Sequence, residues 1–181
     1  MKVALHICCA VCAAGAIERL KLDQHQVYGF FFNPNIHPEE EYLKRLQSAQ
    51  RVAAEYGITL TVAEYQPDIW FKLTHSLENE PEGGRRCPVC LRIRLARTFQ
   101  FMLESGCEGY TTTLTMGSNK KAVVLGKIGK EIGGEHYLEY DFKKKEGFKR
   151  ASELARSWGL YRQYYCGCIY SLQEAEKRRK K

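Results

Sequence analysis

The feature that most constrains the fold is a short apolar run that ends abruptly in three cysteines. Residues 3–7 predict a buried β-strand, and Cys8, Cys9 and Cys12 follow it directly. The next segment, residues 13–22, is rich in helix formers and spaces its apolar residues along one helix face. Three thiols therefore lie where a first strand passes into a first helix. In open α/β sheets this carboxyl edge binds ligands, and the N-terminus of a helix favours a thiolate.

Two further cysteine pairs lie far along the chain, Cys87-Pro-Val-Cys90 and Cys166-Gly-Cys168. We expect all three groups to converge on one metal centre, because clustered thiolates bind zinc or iron–sulfur centres well. A disulfide framework is not expected in a non-secreted chain of this size. A Cys-x-x-Cys pair could instead be a thioredoxin-like redox pair, although that motif needs no other cysteine clusters. The eighth cysteine, Cys107, stands alone and is expected to be a small buried apolar side chain.

The first third of the chain alternates strands and helices. Residues 27–32 predict a buried strand, and residues 58–63, which alternate and contain β-branched side chains, predict a further strand. Glu39–Tyr56 predicts a helix that ends at the following glycine. Residues 33–38 contain two prolines and are not expected to be helical. A β-α-β-α-β order implies parallel strands joined by right-handed crossovers.

The remainder of the chain is expected to continue with the same element types. The predicted elements are a helix at residues 91–104, strands at 109–114 and 137–142, and helices at 150–157 and from Ser171 onward. An aromatic stretch around Trp70 and Phe71 and a polar loop at residues 78–86 separate these elements from the first part. The sequence shows no repeat, so residues 1–181 are expected to form a single domain.

The turn at residues 115–121 is rich in hydroxyl groups, contains a glycine and carries two lysines. Such a turn at the start of a helix can bind an anion. It lacks the spacing of a Walker loop, so an ordinary capped helix start at Ser118 explains the same residues.

The charge of the chain favours a polyanionic partner. The formal net charge is +7, and basic residues concentrate at 85–97, 120–130, 143–150 and 177–181. RNA is such a partner, because phosphate contacts come from basic patches. A solvated face explains any one patch equally well, and we expect the last five residues to be a frayed tail. No apolar run approaches the roughly 20 residues that a membrane helix needs, and no secretory signal is expected, so cytoplasm is the expected location.

Seven motifs, in order, resemble the epoxyqueuosine reductase family QueH, whose members perform the last step in forming the queuosine modification of tRNA. The matching segments are Cys8-Cys9-Ala-Val-Cys12, Phe32-Asn-Pro-Asn-Ile-His-Pro38, Arg86-Cys-Pro-Val-Cys90, Thr111-Thr-Thr-Leu114, Tyr140-Asp-Phe-Lys143, Gly159-Leu-Tyr-Arg-Gln163 and Tyr165-Cys-Gly-Cys168. They span almost the whole chain. The family often has proline before the third cysteine, where this chain has Val11; the substitution affects the rigidity of the turn and leaves the thiols intact.

The resemblance implies an α/β, Rossmann-like (HUP-like) three-layer fold with a mostly parallel sheet and a metal site at the carboxyl edge of the strands. It also implies a [4Fe-4S] cluster with a second metal ion beside it, which we expect to be iron. The number of thiols agrees, since a cubane and a tetrahedral zinc site each take four ligands and the clustered thiols exceed either. One closed zinc site with incidental thiols is the alternative.

All the clustered cysteines are candidate metal ligands, namely Cys8, Cys9, Cys12, Cys87, Cys90, Cys166 and Cys168. The sequence leaves open which of them bind the cluster and which bind the second metal. The interpretation adopted for the cluster is the set Cys9, Cys87, Cys90 and Cys168. Because the first three cysteines are so close in sequence, we expect them to be divided between the cluster and the second metal.

Removing an epoxide oxygen to leave an alkene consumes two electrons and two protons, so a cofactor must carry the electrons. A second metal with an open position would act as a Lewis acid on the epoxide oxygen. Asp141 and His37 are candidate proton donors, and a structural role explains each as well. The expected partners are an external electron donor and the anticodon loop of a tRNA carrying epoxyqueuosine, on whose bases Tyr164 and Tyr165 could stack. The alternatives are an iron–sulfur-dependent tRNA sulfur-transfer enzyme and a zinc-structured RNA-binding module.

Overall fold

The central feature of the fold is one all-parallel sheet. The computed structural model describes residues 1–117 and 122–180. The strands are β1 Lys2–His6, β2 Gln26–Phe31, β3 Leu60–Val62 and β4 Gly109–Thr112. Their order across the sheet is β3-β2-β1-β4, and the register pairs Val3 of β1 with Val27 on one side and Gly109 on the other. Because β1 is central and covered on both faces, all its residues beyond the first are buried, which accounts for its continuous apolar run.

Helices cover both faces of the sheet. Within the described ranges they are α1 Ala10–Leu22, α2 Glu39–Tyr56, α3 Pro67–Leu73, α4 Arg86–Glu104, α5 Ala122–Gly133, α6 Gly147–Ser157 and α7 Ile169–Arg179. One core lies between the sheet and α1, α2 and α6, and includes Leu5 and Ile17. A second core lies between the opposite face and α4 and α5, and includes Phe30 and Leu95. These layers confirm the predicted three-layer α/β fold. None of the described helices is long and apolar enough to cross a membrane.

The prediction of a fifth strand at residues 137–142 is wrong. Tyr137 makes an isolated parallel bridge to Tyr110, and the chain then turns, with the Tyr140 N–H donating back two residues along the chain at 3.0 Å. Tyr137 packs into the core beside α4 and α5, whereas Phe142 packs into the core beside α1. The alternating apolar pattern therefore reflects packing on two sides of the sheet and does not reflect strand pairing.

Two helices near the cysteines differ from the sequence prediction. α4 begins at Arg86 instead of residue 91, so Cys87 and Cys90 lie within the helix, near its N-terminus. The aromatic stretch around Trp70 forms α3, which has Pro67 at its first position, where the missing N–H costs no hydrogen bond. Trp70 on α3 and Cys87 and Cys90 on α4 line the same narrow cavity.

The residues after β4 complete this edge. A 3-10 turn over Thr113–Met116 follows β4, where the sequence predicts more strand. The Thr113 hydroxyl oxygen accepts a hydrogen bond from the backbone N–H of Cys8 at 3.2 Å, which joins the carboxyl ends of β4 and β1. The predicted anion site at residues 115–121, with its alternative cap at Ser118, lies mostly outside the described residues.

Candidate metal centre and active site

Cys8, Cys9 and Cys12 form the first group of thiols, at the carboxyl end of β1. Cys9 is the N-cap of α1 and Cys12 lies in its first turn, so both are at the positive end of the helix. The three Sγ atoms lie within 4.8 Å of one another. Sulfur ligands of one tetrahedral ion are about 3.8 Å apart when each bond is about 2.3 Å. Small side-chain rotations would therefore let all three thiols reach one metal ion.

Hydrogen bonds within the first group favour a single thiolate, at Cys9. Hydrogen bonds with Cys12 and Cys8 lower the pKa of Cys9 well below its ordinary value. Hydrogen bonds with Cys8 and Cys9 raise the pKa of Cys12 well above its ordinary value. The group thus resembles one thiolate that receives hydrogen bonds from its neighbours. Because a metal ion would displace the shared protons, metal binding to this group should strengthen as the pH rises.

Cys87, Cys90, Cys166 and Cys168 form the second group, which lines one narrow cavity. Cys87 lies in the first turn of α4, and Cys168 is the N-cap of α7, with its Sγ accepting from the Ser171 N–H at 3.4 Å. Among the described residues, no three sulfurs of this group meet the spacing of the first group. A wider spacing suits the corners of a cubane better than the ligands of a single ion. The open space is about 10 Å³, so a cubane would require these side chains to turn outward.

Cys166 connects the two groups. It lines the narrow cavity and also a larger cleft that contains Cys8 and Cys12. The structure therefore brings the three cysteine clusters of the sequence into one region, as two adjoining groups.

Buried contacts fix the loop that carries Cys166 and Cys168. Arg45 on α2 donates hydrogen bonds to the carbonyl of Cys166 at 2.9 Å and to the carbonyl of Tyr165 at 3.1 Å. Its Nε pairs with a carboxylate oxygen of Glu41 at 2.7 Å. The Arg45 side chain is only 2 % exposed, so this ion pair lies away from water.

A buried arginine on α4 interacts with both groups of thiols. Arg94 donates a hydrogen bond to the Cys90 sulfur at 3.4 Å. Burial by itself lowers the pKa of Arg94, but the charges of Cys90, Cys166 and Cys8 raise the pKa above its ordinary value. Arg94 is therefore a fixed positive charge that offsets the negative charge of thiolates or of a metal cluster.

The first group opens onto a cleft of about 630 Å³. The residues that line this cleft include Tyr164, Arg178 and Arg179, from the last part of the chain. The Tyr164 side chain is exposed, and the Arg179 guanidinium lies 4.8 Å from its ring centroid. The prediction of a frayed tail is wrong for both arginines, because α7 continues through Arg179 and places them at the cleft.

Residues 3–174 match the family model described as Epoxyqueuosine reductase QueH. This chain belongs to the QueH family. A QueH relative from Acinetobacter baylyi, named Epoxyqueuosine reductase QueH, is 34% identical over 180 residues, which are 97% of this chain and 83% of the relative. The relative of the same name from Thermotoga maritima is 31% identical over 182 residues, 97% of this chain and 93% of the relative. The predicted family is confirmed, and the relatives' names confirm the predicted oxidoreductase class.

A solved structure shares the fold of this QueH chain. It is the U34-tRNA thiolase NcsA from Methanococcus maripaludis with its [4Fe-4S] cluster. The TM-score is 0.59 at 17% identity, and the match covers 98% of the QueH chain and 65% of the thiolase chain. At this identity the likeness shows the fold alone.

Asp141 lies away from the thiol cleft of the QueH chain. Its carboxylate accepts a hydrogen bond from the backbone N–H of Lys143 at 3.2 Å. It borders a separate cavity whose walls include charged residues of α1 and α6, such as Glu18 and Arg150. The hydrogen bond from Lys143 gives Asp141 a structural role in the turn that follows residue 140.

His37 is packed beside the loop of the last cysteine pair. Its backbone N–H donates to the Gly167 carbonyl at 2.8 Å, its carbonyl accepts from the Tyr165 hydroxyl, and Nδ1 accepts from the Ile169 N–H at 3.3 Å. Burial lowers the pKa of His37 to about 4, so the imidazole is neutral near pH 7. The Tyr165 hydroxyl donates to the His37 carbonyl, and the Tyr165 ring is buried. Tyr165 is therefore not available for stacking on a base.

Sequence reasoning missed the buried polar side chains that surround the thiols of this QueH protein. They include His6, Arg45, Arg86 and Arg94, together with the indole of Trp70. His6 ends β1, where its Nε2 donates to the Phe32 carbonyl at 3.1 Å and its Nδ1 accepts from the Thr112 hydroxyl at 2.9 Å. For Arg94 a signal was available, because it interrupts the buried face of α4 between Leu91 and Leu95.

Proposed function

We propose that this protein reduces the epoxide of epoxyqueuosine in tRNA and leaves the alkene of queuosine. The observation that carries the proposal is the pair of adjoining thiol groups in a chain of the epoxyqueuosine reductase family. The reaction consumes two electrons and two protons and releases the oxygen as water. Protein side chains do not supply such electrons, so a redox cofactor is needed, and clustered cysteine thiolates are the ligands of iron–sulfur centres.

The second group of thiols is the proposed site of a [4Fe-4S] cluster. Its ligands would be Cys87, Cys90, Cys166 and Cys168, the number that a cubane takes. The N-termini of α4 and α7 and the buried charge of Arg94 would offset the negative charge of the cluster. The thiolase of the same fold also holds a [4Fe-4S] cluster. This assignment replaces Cys9 of the sequence-based set by Cys166.

Cys8, Cys9 and Cys12 are the proposed ligands of the second metal ion, which we take to be iron. Three thiolates this close can share one ion and leave a further coordination position for a substrate atom. When both centres are bound, they supply electrons one at a time and a Lewis acid for the epoxide oxygen. The first three cysteines are thus assigned together to one ion and are not divided between two sites.

The cleft is the proposed binding site for the modified nucleotide. Tyr164 offers an exposed ring on which a base can stack, and Arg178 and Arg179 offer positive charge to nearby phosphates. The Gln163 side chain also lines the cleft, and its buried Oε1 has no hydrogen-bond partner within the described part of the chain. This oxygen could accept a hydrogen bond from an N–H or O–H group of the substrate.

Electrons would come from an external donor, and the proposed location is the cytoplasm. His37 and Asp141 stay candidates for the proton donor, although neither lines the cleft that opens on the first thiol group. In the absence of direct contact, either would have to act through ordered water.

The activity is tested with tRNA that carries epoxyqueuosine. Anaerobically reconstituted protein and a strong chemical reductant should yield a nucleoside lighter by one oxygen atom, measured by mass spectrometry after digestion of the tRNA. The Cys107→Ser variant is the matched control, because this cysteine lies outside both thiol groups and should leave the yield unchanged. Unchanged epoxyqueuosine after treatment with fully loaded protein would contradict the proposed reaction, and sulfur in the product would indicate a sulfur-transfer enzyme.

Replacing Tyr164 by alanine should weaken tRNA binding by roughly tenfold, since stacking one base on an aromatic ring contributes about 1–3 kcal/mol. Tyr164→Phe keeps the ring and should bind within about twofold of the wild type. Fluorescence anisotropy at fixed salt measures both affinities. Equal losses for the two variants would show that the hydroxyl, and not the ring, makes the contact.

A further inference from the structure

The narrow cavity of the second thiol group has an unusual set of buried donors. Trp70 and Arg86 both line it, and their side chains are fully buried or nearly so. The indole Nε1–H of Trp70 and the Nε–H and Nη2–H groups of Arg86 have no hydrogen-bond partner in the described ranges. Buried N–H groups in folded proteins are almost always paired. The Oδ1 atom of Asn35 lines the same cavity and also has no partner in the described ranges, but one amide oxygen accepts at most about two hydrogen bonds and leaves some of these donors unpaired. At least one acceptor at this cavity is therefore not part of the protein.

Both side chains are held in place by contacts that do not use these donors. Arg86 uses its remaining nitrogen, Nη1, to bind the carbonyls of Leu77 and Glu78, at 2.9 and 3.1 Å, and its guanidinium lies 4.5 Å from the ring centroid of Tyr170. Trp70 packs in one small cluster with Cys90 and Cys168. The donors are therefore preorganised next to the thiols.

We propose that Trp70 and Arg86 donate N–H···S hydrogen bonds to the sulfur atoms of the iron–sulfur cluster and thereby raise its reduction potential. The proposal rests on the proposed function for the presence of the cluster, and adds two positioning residues that set its redox behaviour. Reduction adds one negative charge to the cluster, and donors aimed at its sulfurs stabilise that charge more than they stabilise the oxidised form.

The first test removes one donor and keeps the aromatic packing. The variant Trp70→Phe should keep its sulfide and its brown colour, while its reduction potential falls. At a fixed solution potential the ratio of reduced to oxidised cluster should drop by roughly tenfold, which corresponds to about 59 mV for a one-electron couple. Potentiometric titration followed by electron paramagnetic resonance measures this shift without any turnover.

The chain has two tryptophans, and Trp158→Phe is the matched control. Trp158 packs on Tyr56 in the core beside α1, α2 and α6, away from the second thiol group. Trp158→Phe should leave the potential unchanged. An unchanged potential in Trp70→Phe, with the cluster present, would overturn the inference while leaving the proposed activity intact. A wild-type protein that binds zinc and no sulfide would overturn both.

A second measurement uses the wild-type protein, and it tests the hydrogen bond from Trp70 to the cluster even if the Trp70→Phe variant does not retain the cluster. Protein labelled with indole-¹⁵N tryptophan should show a ¹⁵N hyperfine coupling to the reduced cluster in pulsed electron paramagnetic resonance. The coupling should persist in Trp158→Phe, which leaves Trp70 as the labelled residue. Absence of any ¹⁵N coupling in the reduced wild-type protein would overturn the inference.

Discussion

Replacing Cys87, Cys90, Cys166 or Cys168 by serine should remove the iron–sulfur cluster, with its sulfide and its brown colour. These thiols line one cavity, and a cubane deprived of one of its ligands is exposed to solvent and oxidation. Epoxide reduction should fall by at least about a thousandfold, because no side chain replaces the electron source. Iron and sulfide analysis of each variant, reconstituted anaerobically, measures the loss.

Serine at Cys8, Cys9 or Cys12 should have a different effect. The cluster and its sulfide should remain, but about one iron per chain and the activity should be lost, because these thiols form a separate group that suits a single ion. Cys107→Ser should change neither content nor activity, since Cys107 packs in the core beside α4. Equal loss of sulfide in all the variants of both groups would contradict the two-site assignment. If the Cys166→Ser variant kept the cluster and the Cys9→Ser variant lost it, the cluster ligands would be the set predicted from the sequence, Cys9, Cys87, Cys90 and Cys168.

Replacing Arg45 by methionine should reduce the free energy of unfolding by about 3–5 kcal/mol, because it leaves a buried carboxylate without its cation. Glu41 would lose the Nε pair at 2.7 Å, and the loop that carries Cys166 would lose its hydrogen bonds from Arg45. We therefore also expect faster loss of the cluster from this variant. Denaturant unfolding, followed by circular dichroism, measures the change in stability.

The chain provides a matched control for Arg45 in another (i, i+4) pair. Arg19 in the last turn of α1 and Asp23, the C-cap of that helix, are joined at 2.9 Å, but their side chains are 34% and 31% exposed. Arg19→Met should therefore cost less than about 1 kcal/mol, as exposed ion pairs do. If Arg19→Met and Arg45→Met reduced the free energy of unfolding by similar amounts, burial of the Arg45 pair would not determine how much that pair contributes to stability.

The sequence was most informative where local pattern determines structure. The apolar run before Cys8 and the helical spacing after Cys12 are local signals, and the structure contains the strand and the helix that they predict. The parallel sheet follows from the order of such elements. The same local reasoning failed at residues 137–142, because an alternating pattern arises equally from a strand and from a chain that packs into two cores.

The grouping of thiols depended on contacts that are distant in the sequence. Cys166 of the second group lines both the narrow cavity and the cleft, and its carbonyl is held by Arg45 on α2. No periodicity of the sequence indicates that contact. Arg179 reaches the cleft because α7 continues to that residue. The basic composition of the last residues does not by itself predict this position. The unpaired N–H groups of Trp70 and Arg86 could not be predicted from the sequence either, since an unpaired buried N–H is a property of the folded structure.

The iron and sulfide content of protein purified and reconstituted without oxygen tests the central claim most directly. A cubane on the second thiol group and one iron on the first predict about five iron atoms and about four sulfide ions per chain. Broad visible absorption should accompany them. One zinc ion per chain, with no sulfide and no colour, would contradict the assignment of both sites.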